Sequence, residues 1–220
     1  MKTRALPIAL ATFAAVSGAA APFEQARWIA PSSSTATSAA LPLFRKEFVV
    51  TAWPAHATLR IVGLGDYDVS LNGRRLAETG MNQPWSQYEK TIYYRDFDIT
   101  TPLVRGTNCV GVMLNNSFWH NPNPPADRYN KNGPQRKADE PFLLCAEIVM
   151  RYKDGSTQSI GTDATWRTAE GPVTFSHIFA GEDFDARRQQ AGWDRAGFDD
   201  RAWQTVRLAT APAGKLEHQF

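Results

Sequence analysis

The string GEDFDARR sets three carboxylates, Glu182, Asp183 and Asp185, beside two guanidinium groups, Arg187 and Arg188. Paired carboxylates are how many enzymes cut glycosidic bonds, one as acid and the other as base or nucleophile. The spacing argues against that here. On an extended chain, residues three apart lie ~10 Å apart, and Glu182 and Asp185 project to opposite faces. An inverting pair needs its carboxyl groups ~6.5–9.5 Å apart across one sugar. The adjacent arginines also favour ionised carboxylates, whereas a general acid needs a raised pKa. No catalytic residue is therefore assigned. Two other readings stay open. The three oxygen donors suit Ca²⁺, although they are fewer than the ~6–8 ligands that ion takes, and calcium is the one cofactor the residues suggest. Alternatively, Asp185 pairs with Arg187 or Arg188 and fixes a structural corner, with Gly181 supplying an unusual backbone angle and Trp193 packing nearby.

A second set of residues fits sugar binding by type. Such a site needs a flat aromatic face against C–H groups and planar polar side chains for vicinal hydroxyls. Trp85 and Tyr88 follow the turn-forming GMNQP, and Asn116, Trp119, Asp127, Arg128 and Tyr129 lie in the segment 115–140. That segment holds four prolines and no strand pattern. Irregular loops this long in a compact domain are usually functional or disordered, and its aromatic residues argue against mere disorder. Trp28, Trp166, Trp193 and Trp203 read instead as core or corner packing. His56, His120, His177 and His218 are scattered without an i, i+4 pair, so a zinc site is not expected. Gly-rich phosphate loops and nucleophile elbows are absent.

Lys2 and Arg4, followed by an apolar Ala-rich run ending in small residues, predict an export signal over residues 1–21. Cleavage is expected after Ala19 or Ala21, giving a secreted or periplasmic chain with no later run long enough to span a membrane. Without those two basic residues the remaining Lys and Arg balance the 22 Asp and Glu, so no basic excess draws nucleic acid or anionic lipid. Seven Trp on an uncharged chain suit a neutral ligand such as a glycan. Export also permits a disulfide between Cys109 and Cys145, worth ~3–4 kcal/mol for a loop of this length. The other reading is two buried free thiols.

The elements that must carry these residues are almost wholly β. LFRKEFVV alternates with Phe44, Phe48 and Val50 on one face. ATLRIVGLG, DYDVSLNGRRL, QYEKTIYYRDFDI and NCVGVMLN follow, with Asn72-Gly73 a strong hairpin signal. Two strands join around Asp154-Gly155, and ATWRTA and VTFSHIFAGEDFDA supply more. Roughly nine to eleven short strands with turn residues between them predict an all-β antiparallel two-sheet sandwich, jelly-roll-like, with one long irregular loop. A brief helical or 3₁₀ turn is expected in 194–206. Residues 22–43 read as a mobile lead-in with a short strand at ARWIA, 44–206 as the sandwich, and 207–220 as either a strand or a linker remnant.

Taken in order, LRIVGLGDYDVSLNGRRL, PWSQYEKTIYYRDFDIT, LVRGTNCVGVML, IGTDATWRTAEGPVTFSHIFAGEDFDARRQQAGWD and GFDDRAWQTV resemble the N-terminal β-sandwich region of bacterial α-L-rhamnosidases of glycoside hydrolase family 78. The likeness runs from about Trp28 to Val206, and GExFDAR…GW is its most specific part. The resemblance implies that hydrolysis belongs to an (α/α) helical barrel downstream, for which the residues after Val206 leave no room. Some rhamnose-binding sandwiches similar to this one hold their sugar through Ca²⁺, but their ligands do not map onto matching positions here. The expectation is a non-catalytic module that binds rhamnose-containing or related glycans, or docks on a glycosidase catalytic domain. The alternatives are a piece of a split or truncated rhamnosidase, and a sandwich serving only protein contacts.

Overall fold

A computed structural model describes residues 22–32, 40–77, 80–120 and 141–219. In chain order its strands are β1 (Ile29–Ala30), β2 (Pro42–Val50), β3 (His56–Leu64), β4 (Asp66–Leu71), β5 (Arg74–Arg75), β6 (Thr91–Asp98), β7 (Gly106–Asn115), β8 (Leu143–Arg151), β9 (Thr157–Gly161), β10 (Arg167–Glu170), β11 (Val173–His177), β12 (Gly181–Phe184), β13 (Gln204–Thr205), β14 (Arg207–Leu208) and β15 (Lys215–His218). One sheet runs β14-β1-β8-β3-β6-β15, with β9 also on β8, and the other runs β13-β10-β2-β7-β4-β5. The β11–β12 hairpin stands apart from both.

The two sheets bury their alternating apolar residues against each other. Phe44, Phe48 and Val50 of β2, with Val110, Val112 and Leu114 of β7, meet Leu59 and Ile61 of β3 and Leu144, Ile148 and Met150 of β8. Each such side chain contributes ~1.5–3 kcal/mol of burial, and the result is the antiparallel sandwich that the alternation predicts. The β4–β5 turn forms at Asn72-Gly73, with φ of 54° and 79°. Both central residues thus take the positive φ that a two-residue hairpin of this hand requires.

Two expectations change, and one open alternative is decided. The lead-in is not loose over residues 22–30. The nearly buried Glu147 accepts the backbone N–H groups of Glu24 and Gln25 at 3.1 and 2.9 Å. Arg27 N–H donates to the Thr162 carbonyl at 2.7 Å, and Ile29 pairs with Leu144 and Leu208. A carboxylate within the largely apolar β8 therefore supplies the acceptors that a non-ladder segment lacks. Among the described residues the one 3₁₀ turn falls at Ala186–Arg188 rather than in 194–206, because Asp185 caps it. Of residues 207–220, Lys215–His218 is an ordered strand, pairing parallel to β6. The expected signal, residues 1–21, lies outside the described residues.

The disulfide expectation is corrected. Cys109 pairs with Glu47 on β2, and Cys145 with Val62 on β3. Val110 and Leu144, one residue from each cysteine, point into the shared core. The two thiols consequently face outward from opposite sheets, and both are free and buried. Desolvation pushes Cys109 up to about 11 and Cys145 up to about 12. We expect the native protein to resist thiol alkylation at pH 8, and its Tm to be the same with and without reductant. A Tm that falls on adding reductant would contradict the placement of these two strands.

Candidate functional site

The acidic hairpin is built around its turn. Gly181 has φ of 82°, where only glycine is unstrained. His177, 7% exposed, accepts the N–H groups of Phe179 and Ala180 at Nδ1, both at 3.1 Å. Asp185 is fully occupied: it accepts Arg187 N–H at 3.1 Å and Arg187 Nε at 2.8 Å. The Arg187 side chain, its backbone N–H and the nearby charges hold the Asp185 carboxyl down at about 2. A permanently ionised carboxylate in this position is no general acid. Glu182 and Asp183 are successive residues of β12 and project to opposite faces. Among the described residues, no three His, Cys, Asp or Glu side chains converge as a metal site. The set Glu182, Asp183 and Asp185 thus does not fit calcium here. Arg188 reaches out to Glu170 at 3.0 Å, tying the hairpin to β10.

Desolvation lowers the His177 pKa below its ordinary 6.5. A group whose folded pKa lies below its unfolded one stabilises the fold fully above about pH 6.5 and progressively less as pH falls toward the folded value. Protonating Nδ1 would cancel both acceptor contacts. We expect amide protection at Phe179 and Ala180, corrected for intrinsic exchange, to drop between pH 7 and pH 5. Unchanged protection would show that the ring does not hold the turn.

The residues expected to bind sugar part company. Trp85 is 67% exposed, and its ring lies 5.8 Å from Phe118 at 42°. Tyr88 and Trp119 are buried, at 2% and 7% exposure, and meet edge to face at 5.4 Å. They belong to a second apolar cluster, with Trp28, Val62, Leu64, Ile92 and Cys145, which covers the outer face of the seven-stranded sheet. These two rings are structural, and the expectation that they form a ligand platform is corrected. Asn116 donates through Nδ2 to the Ser176 carbonyl at 2.7 Å, joining this end of the sandwich to the hairpin. Asp127, Arg128 and Tyr129 lie outside the described residues.

The frame under Trp85 is polar and was not found from the sequence. Asp66 accepts the N–H groups of Asn82 and Gln83, each at 2.9 Å. Burial raises its pKa, against the lowering effect of those N–H groups. Asn82 donates to the Tyr67 carbonyl at 2.7 Å and accepts from Arg95 at 2.7 Å, while Gln83 donates to the Tyr93 carbonyl. The run MNQPW is therefore fixed before it presents Trp85. Beside Phe118, three successive residues carry buried side-chain oxygens without a hydrogen-bond partner: Asn115 Oδ1, Asn116 Oδ1 and Ser117 Oγ.

The corner at 190–200 rests on a buried cation. Arg45, 1% exposed, donates to the carbonyls of Trp193 at 2.8 Å and Arg195 at 3.0 Å, and pairs with Glu47 and Asp200. Burial opposes its charge, but Glu47 and Asp200 outweigh that and its pKa is raised. Trp193, expected as a packing residue, stacks on Trp203 at 6.1 Å and 25°.

The fold is a two-sheet β-sandwich, antiparallel except where β15 joins β6, with no converging acid pair at the acidic hairpin. Residues 52–220 match the family described as the α-L-rhamnosidase N-terminal domain, and the chain belongs to that family. An α-L-rhamnosidase of Streptomyces avermitilis is 34% identical over 155 residues, covering 70% of this chain and 14% of the relative. The crystal structure of the Aspergillus terreus α-L-rhamnosidase superposes with a TM-score of 0.77 at 29% identity, over 86% of this chain and 22% of that one. The S. avermitilis enzyme complexed with L-rhamnose gives 0.71 at 30%, over 80% and 16%. The chain thus spans a small part, 14–20%, of the curated relatives it matches.

Proposed function

We propose that this chain is an exported, non-catalytic accessory module of α-L-rhamnosidase type, and that it binds rhamnose-containing or related glycans at the end of the sandwich marked by Trp85. One observation carries this reading: an indole 67% exposed, leaning on Phe118 and held on a hydrogen-bonded frame. Leaving so large an apolar ring in water gains nothing for the fold, whereas stacking on a sugar's C–H face uses it. The similarity to an enzyme crystallised with L-rhamnose supports the choice of sugar. A second reading, docking on a rhamnosidase catalytic domain, is favoured by the small share of each relative that the chain spans.

Calorimetric titration with L-rhamnose tests the binding reading. We expect saturable heat at millimolar sugar, and about tenfold weaker binding for Trp85→Ala from loss of one aromatic contact. The variant should keep the parent Tm, since the ring is exposed. Equal affinity in the two proteins would move the site elsewhere, and no heat in either would favour docking.

A further inference from the structure

The family-specific string that performs no hydrolysis builds a cavity instead. A space of about 360 Å³ opens on the outer face of the six-stranded sheet. Its floor is a row in register across three strands, Leu43 of β2 beside Met113 of β7 and Met113 beside Asp68 of β4. One wall is the corner 189–194, and Pro172 and the exposed Phe184 of the hairpin segment contribute another. The corner can approach because Gly111 has no side chain. A Cβ there would lie 2.6 Å from Asp194 Cβ and 2.9 Å from Trp193 Cζ3. Trp203 stacks on Trp193 and donates from Nε1 to Gln190 Oε1 at 2.8 Å, so the wall is fixed rather than adaptable.

The geometry points to this cavity as a second binding site, separate from Trp85, that takes one neutral sugar residue. Its volume falls at the small end of the ~300–1,000 Å³ range of ligand pockets, enough for a single ring and too little for an oligosaccharide. Trp193, Phe184 and Met113 give the apolar surface that a ring's C–H face needs. Asp68, Asp194, Gln189 and Arg75 add planar acceptors and donors suited to vicinal hydroxyls. Arg75 already pairs with Asp68, which leaves Asp194 as the uncompensated charge among these four. The net negative charge of this lining disfavours acidic sugars and phosphates.

The test is a ¹H–¹⁵N NMR titration of the whole chain with L-rhamnose, and in parallel with D-galacturonate. Saturable shifts are expected at the Trp193 indole N–H and at the Gly111 and Gly192 amides with rhamnose, and not with the uronate. Gln189→Ala and Phe184→Ala, both at exposed positions, should each weaken those shifts about five-fold and leave the Trp85 indole response intact. Trp85→Ala should leave the cavity response intact. Rhamnose shifts confined to Trp85 would overturn this proposal alone, and shifts confined to the cavity would uphold it while removing the first site. Silence at the cavity, with or without a Trp85 response, would overturn the proposal, and an equal response to the uronate would refute its selectivity.

Discussion

Arg45→Met is expected to destabilise the chain by ~3–5 kcal/mol, the cost of breaking a buried ion pair by removing one partner. At ~2–4 °C per kcal/mol for a chain of this size, Tm should fall by roughly 10 °C. The side chain is only 1% exposed, so its own contribution is not screened away by solvent. Glu47 and Asp200, at 34% and 27% exposure, can regain part of their hydration. The carbonyls of Trp193 and Arg195 lose a donor outright. Arg45→Lys should recover only part of the loss, because one ammonium cannot replace a planar fork that reaches four acceptors. A Tm within 2–3 °C of the parent for the Met variant would show that the corner is held by its tryptophans and not by this cation.

Trp166→Ala carries the second large effect. The indole is 2% exposed within the shared core, and Nε1 donates to the Gly161 carbonyl at 3.2 Å. Its removal leaves a cavity and an unpaired carbonyl, and Trp→Ala in a core costs ~3–5 kcal/mol. The backbone carbonyl of Trp166 also receives the Val206 N–H, so the loss should spread to β13 and β14. Denaturant unfolding measures it: a lower midpoint at unchanged slope means lost stability alone. A change below ~1 kcal/mol would mean that the site collapses around the smaller residue.

The parts legible in the sequence are those with a local physical signature. Asn72-Gly73 announces its hairpin because few other pairs accept two positive φ values. Gly181 and the Asp185–Arg187 pair were readable for the same reason, being decided within a few residues. Strand existence followed from alternation. What escaped is decided at long range. Nothing near Tyr88 or Trp119 says that they meet each other under a second apolar layer, although LLCAEIV gives a hint. A strand with one wet face alternates, whereas a run that is apolar on both faces apart from Glu147 marks a strand covered on both sides. The same hint places Cys145 outward, away from Cys109. Likewise β15 pairs parallel to β6, a connection that no turn motif specifies. Arg45 reads as an ordinary alternating surface residue until the corner more than a hundred residues later folds onto it.

Under the proposed function, the chain binds a rhamnoside without cutting it. Calorimetric titration of the purified chain with an aryl α-L-rhamnoside tests both halves at once. The predicted record is a saturable series of injections, each returning to baseline, with the aryl group still attached at the end. A sustained heat signal with release of the aryl alcohol would show hydrolysis and contradict the account, as would a titration with no heat of binding at all.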